Sequence, residues 1–253
     1  AKGSKCSTAG AAVVLDVNTG DILAMASYPD YDLETFSTDY NSLLKNQAKP
    51  LMNRCISGMY EPGSTFKPVV ALAALNEGVI TADEKIEDLG VYTYYAPTYT
   101  PSCHIWNEKH ITHGKINIAE ALSVSCNYFF FETGRRLTID KIAKYAKEFG
   151  LGTTTGIELE GEASGVLASP ETKKEWYAGD TLQAAIGQSI NMFTPIQMAT
   201  YIAGIANDGT IYNPHIIRKI EGSDGTIIKE TKPEIKSAIN VPKSNFDVVK
   251  LGM

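Results

Sequence analysis

The chain has 253 residues, of which 43% are hydrophobic and 21% are charged. That length allows one large domain or two small ones with a sizeable core. The formal net charge is −6 and there is no long basic run, which argues against nucleic acid as a partner. No apolar run approaches the roughly 18 residues of a membrane span. These features indicate a globular domain.

The first predicted elements form a hairpin. Residues 11–17 and 22–27 have the composition of strands, and turn-forming residues at 18–21 join them. Residues 64–77 predict a helix, because the interior is rich in alanine and leucine and Gly78 follows at its end. This helix is apolar nearly all round, so we expect it to be central and buried.

The middle of the chain is predicted to be mostly helical. Residues 92–109 are irregular and tyrosine-rich, which predicts a long loop that packs on the domain or lines a substrate groove. Further helices are predicted over 116–137 (with a break near 125–127), 138–149, 181–187 and 194–207. Strands and turns return at 211–228. Strands at both ends of a helical middle predict an α+β domain with a helical lobe.

A candidate nucleophile lies at the start of the apolar helix. Ser64 and Lys67 are three residues apart, so both side chains lie on one helical face, where the amine can take the serine proton. Pro68 lacks a backbone N–H and fits only near a helix start, where free N–H groups favour developing negative charge. Taken alone, Ser64 is better explained as a helix N-cap. The S-C-N triplet at 125–127 favours catalysis, because the two motifs together mark one class of acyl-transferring serine enzymes.

Several blocks, in the same order, resemble the transpeptidase domain of class B penicillin-binding proteins. They are residues 12–27, 61–68, 125–127, 179–180, 185–188 and 194–199. The resemblance implies a penicillin-binding/β-lactamase-like fold, in which an antiparallel sheet has helices on both faces and a helical lobe. It also implies a peptidoglycan D,D-transpeptidase that is acylated by β-lactams and requires no cofactor for its chemistry.

Roles for single residues follow from the same resemblance. Ser64 would attack the carbonyl of a D-Ala-D-Ala stem peptide, and Lys67 would be the general base. Ser125 would be the proton shuttle, and the amide of Asn127 would orient the substrate and the lysine. A covalent ester divides one difficult acyl transfer into two steps, and the amine of a neighbouring stem peptide then takes the acyl group. The backbone N–H of Ser64 is expected to be one oxyanion donor.

Two other functions stay open at this point. A serine β-lactamase shares the first motif but would need a group that activates water, and a β-lactam sensor domain would be acylated once and then signal. As partners, the resemblance implies stem peptides, β-lactams and a cell-wall synthesis complex with a glycosyltransferase. It places the domain on the extracytoplasmic face of the bacterial membrane, held by an anchor outside these residues.

The third motif of the family, K-[ST]-G, has no match in the sequence. In the family this motif lies on a strand that completes the sheet and supplies the second oxyanion donor. We therefore expect residues 1–253 to be one transpeptidase domain that is incomplete at its C-terminus. On its own, such a piece would fold poorly and react slowly with penicillin, because a two-stranded sheet is marginal in isolation.

A second group of candidate residues could hold a metal. Cys103, His110, His113 and Cys126 offer the thiolate and imidazole ligands that Zn²⁺ prefers, and four such ligands make a closed tetrahedral site. His104 is the alternative to His110. Some relatives carry zinc here, with ligands at the positions of His113 and Cys126, and the ion would brace the catalytic loop. The alternative is a cluster of loop histidines beside two buried thiols.

The remaining cysteines and histidine are interpreted as structural. The four cysteines contain no C-x-x-C pair and no disulfide framework. Cys6 and Cys55 therefore read as buried small side chains, and His215 as an isolated structural residue.

Overall fold

The structure is a computed structural model, and it describes residues 9–253. The predicted hairpin is present: β1 (Gly10–Leu15) pairs antiparallel with β2 (Ile22–Tyr28). Gly20 in its turn has a φ of +83°, and a Cβ there would lie 2.4 Å from the carbonyl oxygen of Asn213. Glycine is therefore required where the turn meets the segment after residue 212.

Helices make up most of the chain after the hairpin. They are α1 (Phe36–Lys45), α2 (Arg54–Ser57), α3 (Lys67–Asn76), α4 (His104–Lys109), α5 (Ile118–Ser123), α6 (Asn127–Leu137), α7 (Ile139–Glu148), α8 (Ala178–Ala185), α9 (Pro195–Ala206) and α10 (Lys243–Gly252). The predicted break at 125–127 separates α5 from α6. The prediction of a loop over 92–109 is wrong at its end, because α4 is too short to show a helical hydrophobic period.

The other strands also form antiparallel pairs. β3 (Ile86–Asp88) pairs with β4 (Gly114–Ile116), β5 (Thr210–Tyr212) with β8 (Ile235–Ala238), and β6 (Lys219–Glu221) with β7 (Ile227–Glu230). Within residues 9–253 each of the four sheets has two strands. The α+β class is confirmed, and the completion of the first sheet by further strands stays a prediction.

The core is built around α3, as its apolar sequence predicts. Residues 69–74 are at most 1% exposed, and the helix packs against α5, α6, α7 and α10. Gly134 of α6 lets α8 approach closely, since a Cβ there would lie 2.5 Å from the Cβ of Ala185. Helices from distant parts of the chain thereby enclose α3 on several sides.

The predicted loop of tyrosines packs on this core. The buried Tyr92 donates to Glu132 of α6 at 2.5 Å, and the guanidinium of Arg135 lies 4.1 Å from the ring centroid of Tyr94. The hydroxyl of Tyr99 accepts from the amide of Gln183 in α8. These contacts join the loop to both helices.

The residues interpreted as structural lie away from the candidate site where they are described. The buried Cys55 donates to the carbonyl oxygen of Ala26 at 3.1 Å, and His215 pairs with Asp21 at 2.7 Å. Cys6 lies outside the described residues. Among residues 9–253, no helix combines the length and apolar character needed to cross a membrane.

Candidate active site

Ser64 lies in a 3₁₀ turn, Gly63–Phe66, that leads directly into α3. The backbone N–H of Gly63 donates to the carbonyl oxygen of Gly187, which follows α8, at 2.9 Å. A Cβ on Gly187 would lie 1.8 Å from the carbonyl oxygen of Gly63, so the approach requires glycine. Sequence reasoning missed this contact, because a glycine after a helix is equally explained as a C-cap. The contact holds the turn in place while Ser64 stays exposed.

Lys67 lies one turn further on and is 1% exposed. Its Nζ donates to the carbonyl oxygen and to the Oγ of Ser125, at 2.8 and 3.0 Å, and to the Oδ1 of Asn127, at 2.7 Å. These acceptors match the three N–H bonds of an ammonium group. Burial lowers the pKa of Lys67 from 10.5 to about 8, against the opposing influence of Cys126 and Cys103. The amine can therefore gain or lose a proton near neutral pH.

Ser125 connects the buried amine to the exposed nucleophile. Its Oγ lies 2.9 Å from the Oγ of Ser64, so a hydrogen-bonded path runs from Ser64 through Ser125 to Lys67. Ser125 has a φ of 53°, in the left-handed region. A non-glycine residue there costs about 1–3 kcal/mol and persists when its surroundings hold it, which is common at functional sites. The structure thus brings together Ser64, Lys67, Ser125 and Asn127.

The turn between α5 and α6 determines which side chains face the lysine. Cys126 is the N-cap of α6, and its Sγ accepts from the backbone N–H of Phe129 at 3.4 Å. Its neighbours Ser125 and Asn127 face Lys67. The side chain between them faces the opposite side of the turn.

On that opposite side, four potential metal ligands meet. They are Asp88, Cys103, His113 and Cys126, and their ligand atoms all lie within 4.8 Å of one another. The Sγ of Cys103 is 3.9 Å from the Sγ of Cys126 and 3.7 Å from the Nδ1 of His113. The Oδ2 of Asp88 is 2.8 Å from that Nδ1 and 3.6 Å from the Sγ of Cys126. Bonds of 2.0–2.3 Å to Zn²⁺ place tetrahedral ligand atoms about 3.3–3.8 Å apart, so a small adjustment fits the ion.

The structure does not place His110 or His104, the predicted fourth ligands, in this group of four. His110 is exposed, ends α4 in a left-handed conformation, and places its ring edge-on to Trp106. The Nδ1 of His104 is 3.9 Å from the Sγ of Cys103, outside the group of four. Asp88 is the fourth member of this group, because the β3–β4 pairing brings it opposite Gly114, beside His113. A search for histidine and cysteine alone could not find a carboxylate ligand.

Two groups of this cluster favour negative charge, whereas the hydrogen bond with Cys103 and burial raise the pKa of Cys126. Burial opposes ionisation of Asp88, but hydrogen bonds from the backbone N–H groups of His113 and Gly90 outweigh burial and lower its pKa. A hydrogen bond from the Cys126 thiol lowers the pKa of Cys103. Metal ligands of these types bind as the carboxylate and the thiolate.

The sequence matches the penicillin binding protein transpeptidase domain family over residues 10–253. The chain belongs to this family, as the transpeptidase domain of a class B penicillin-binding protein.

The relatives agree with this assignment. The peptidoglycan D,D-transpeptidase MrdA of Haemophilus influenzae is 34% identical over 255 aligned residues, covering 96% of this chain and 38% of that protein. The structure of PBP2 from Pseudomonas aeruginosa in complex with WCK 5153 has a TM-score of 0.84 at 32% identity, covering 97% of this chain and 56% of that one. PBP2 of Helicobacter pylori, in complex with MreC, has a TM-score of 0.83 at 28% identity, covering 96% and 45%. The chain thus spans well under two thirds of their lengths.

Proposed function

We propose that this chain is the acyl-transferring domain of a peptidoglycan D,D-transpeptidase. The observation that carries the proposal is the hydrogen-bonded path from the exposed Ser64 through Ser125 to the buried Lys67. An exposed hydroxyl can meet a polymeric substrate, whereas a buried amine with a lowered pKa suits a general base. The names of the relatives support a stem peptide as the acyl donor.

In the first half of the reaction, Ser64 attacks the carbonyl carbon of the D-Ala-D-Ala bond. The proton of Ser64 passes to Ser125, and the proton of Ser125 passes to neutral Lys67. The new C–O bond forms a tetrahedral oxyanion, which the backbone N–H of Ser64 helps to stabilise. The C–N bond then breaks, and the leaving D-alanine amine takes a proton returned along the same path.

In the second half, the amine of a neighbouring stem peptide attacks the ester carbonyl. Lys67, again neutral, receives the proton of the amine through Ser125 and returns one to the Ser64 oxygen as the C–O bond breaks. The product is a peptide cross-link and the free serine. A β-lactamase would use water in this half, and a sensor would stop at the ester. The lifetime of the acyl-enzyme, measured together with cross-linking of a donor stem peptide, separates the three functions.

Mass spectrometry of the full-length protein tests the proposal directly. Incubation with a penicillin should add one drug-sized mass, located on the peptide that contains Ser64. Ser64→Ala should abolish the adduct, whereas Ser123→Ala, which changes an exposed serine outside the path, should keep it. An adduct that survives Ser64→Ala would overturn the assignment of the nucleophile.

The partners of the whole protein follow from this function. Cross-linking needs newly polymerised glycan, so we infer that the protein works beside a glycosyltransferase on the extracytoplasmic face of the membrane. The complex of the H. pylori protein with MreC supports the assembly of this protein into a larger complex. Co-purification of the full-length protein with a glycosyltransferase would test the inference, and its absence from such a complex would contradict it.

We also propose that Asp88, Cys103, His113 and Cys126 hold one zinc ion. The separations of their ligand atoms and the lowered pKa values of Asp88 and Cys103 support this proposal. A four-ligand site of this kind has no open position, so the ion would contribute to folding rather than to acyl transfer. The ion would tie β3 and the start of α4 to the turn that carries Ser125 and Asn127.

Metal analysis tests the zinc proposal. Protein purified without added zinc should contain about one equivalent, and Cys103→Ser should remove most of it. The matched control is Cys55→Ser, a buried thiol outside the cluster, which should leave the metal content unchanged. Far less than one equivalent in the unaltered protein would contradict the proposal.

A further inference from the structure

The junction between the 3₁₀ turn and α3 has an unusual hydrogen-bonding arrangement. The backbone N–H of Lys67 donates to the carbonyl oxygen of Ser64, which is a tight, three-residue spacing. Pro68 has no N–H to donate. In a continuous α-helix the next N–H, that of Val69, would donate to the carbonyl oxygen of Thr65.

A side chain from a distant helix lies between those two groups instead. The hydroxyl of Tyr201, in α9, accepts from the N–H of Val69 at 3.0 Å and donates to the carbonyl oxygen of Thr65 at 3.2 Å. Tyr201 is 0% exposed, and its ring packs edge-on against Phe149 at a centroid distance of 5.6 Å. The hydroxyl is therefore held in place and satisfies both backbone groups.

We propose that Tyr201 is a positioning residue for acyl transfer. Its hydroxyl prevents the 3₁₀ turn Gly63–Phe66, which carries Ser64, from becoming a further α-helical turn of α3. The winding of this turn determines the angle between the side chains of Ser64 and Lys67. Ser125 bridges those side chains at 2.9 and 3.0 Å, and such a bridge tolerates little change in the angle. The proposal rests on the proposed acyl-transfer function.

Replacing the tyrosine by phenylalanine tests the hydroxyl while keeping the ring. In Tyr201→Phe, the carbonyl of Thr65 and the N–H of Val69 lose the hydroxyl between them and can bond to each other, so the turn should wind further and move Ser64 away from Ser125. The rate constant for acylation of the full-length protein by a penicillin should fall on the order of 10–100-fold. The dissociation constant of the preceding non-covalent complex should stay within about twofold, because the exposed binding surface is unchanged.

The matched control is Tyr145→Phe, in α7, because the hydroxyl of Tyr145 contacts the opposite end of α3. Tyr145 is also buried, and its hydroxyl accepts from Asn76, the last residue of α3, and donates to Glu77, which follows it. Both variants should lose a similar few degrees of melting temperature. Only the Tyr201 variant should lose the acylation rate.

A crystal structure of Tyr201→Phe gives a readout that is independent of activity. We expect the Ser64 and Ser125 hydroxyl oxygens to be more than 3.5 Å apart and the Thr65 carbonyl to accept from Val69. An unchanged turn, unchanged acylation, or equal slowing in Tyr145→Phe would overturn the role of Tyr201. If the unaltered protein forms no adduct on Ser64, the proposed function is wrong. The crystal structure of the variant still shows whether Tyr201 determines the conformation of the turn.

Discussion

The two polar sites on either side of residues 125–127 differ in their access to solvent. On one side, the path from Lys67 through Ser125 ends at a hydroxyl that is exposed. On the other, Asp88, Cys103 and Cys126 are at most 2% exposed. The open site can meet a substrate, whereas the closed one can only hold an ion or be satisfied internally.

The difference shows how a short turn can serve two purposes. Alternate residues of the turn face opposite sides, so the side chains that contact Lys67 and the side chain in the cluster are adjacent in sequence. We therefore expect variants on the open side to change the reaction and variants on the closed side to change stability.

The largest effect is expected for Lys67→Ala. Without the amine, no group accepts the proton that Ser125 passes on, and acylation by a penicillin should slow by about 10²–10⁴-fold. Stopped-flow or adduct kinetics on the full-length protein measures the change. Lys236→Ala is the control, because that amine also donates to backbone carbonyl oxygens, those of residues 154 and 155, but away from the site. Equal slowing in both variants would show that loss of a hydrogen-bonded lysine, rather than of the base, is responsible.

Ser125→Ala should have the next largest effect. The substitution removes the hydroxyl between Ser64 and Lys67 and leaves the turn in place, so acylation should fall about a hundredfold. The same kinetic measurement applies. Unchanged kinetics would mean that the proton reaches Lys67 by another route, and the comparison between the two sides would lose its chemical basis.

The pH dependence of acylation should reflect the pKa of Lys67. The base acts in its neutral form, so the rate should rise with pH and level off above about 8. The pKa of Lys67 is lower in the folded protein than its value of 10.5 in the unfolded chain, so the unfolded chain binds more protons between about pH 8 and 10.5. The contribution of Lys67 to the free energy of unfolding therefore rises as the pH increases across that window. A rate profile that is flat from pH 6 to 10 would contradict this assignment.

A smaller effect on acylation is expected for Asp88→Asn, on the closed side. The variant should bind zinc more weakly and melt several degrees lower, because a charged ligand of the proposed site becomes neutral. Acylation at a temperature well below melting should stay within about threefold, because Asp88 contacts none of the four catalytic candidates. Calorimetry with and without a chelator measures the first effect. A loss of acylation as large as that in Ser125→Ala would show that the two sides act as one site.

The smallest effect is expected for His110→Ala. The residue is exposed, and among the described residues its ring has an aromatic contact with Trp106. Zinc content should therefore not change, and the free energy of unfolding should change by no more than about 0.5 kcal/mol. Metal analysis and thermal melting of the variant check both expectations. Loss of the metal in this variant would indicate that His110, rather than Asp88, is the fourth ligand.

The sequence by itself determined the hairpin, the central helix and the residues of the proposed catalytic path. Local signals carry these features: the apolar run that follows Lys67, the proline that limits where the helix begins, and a break between two helical segments at 125–127. The spacing of Ser64 and Lys67 already places both on one face. The meeting of these residues with Ser125 and Asn127 was predictable only because class B penicillin-binding proteins show the same blocks in the same order.

Only the tertiary structure decided which distant groups complete the two sites. Asp88 joins the cluster through the β3–β4 pairing, Gly187 contacts Gly63 across the core, and the hydroxyl of Tyr201 enters the start of α3 from a helix more than a hundred residues away. None of the three has a local pattern that distinguishes it, since each also reads as an ordinary turn, cap or core residue. Long-range contacts depend on how whole helices and strands pack, and no window of neighbouring residues contains that information.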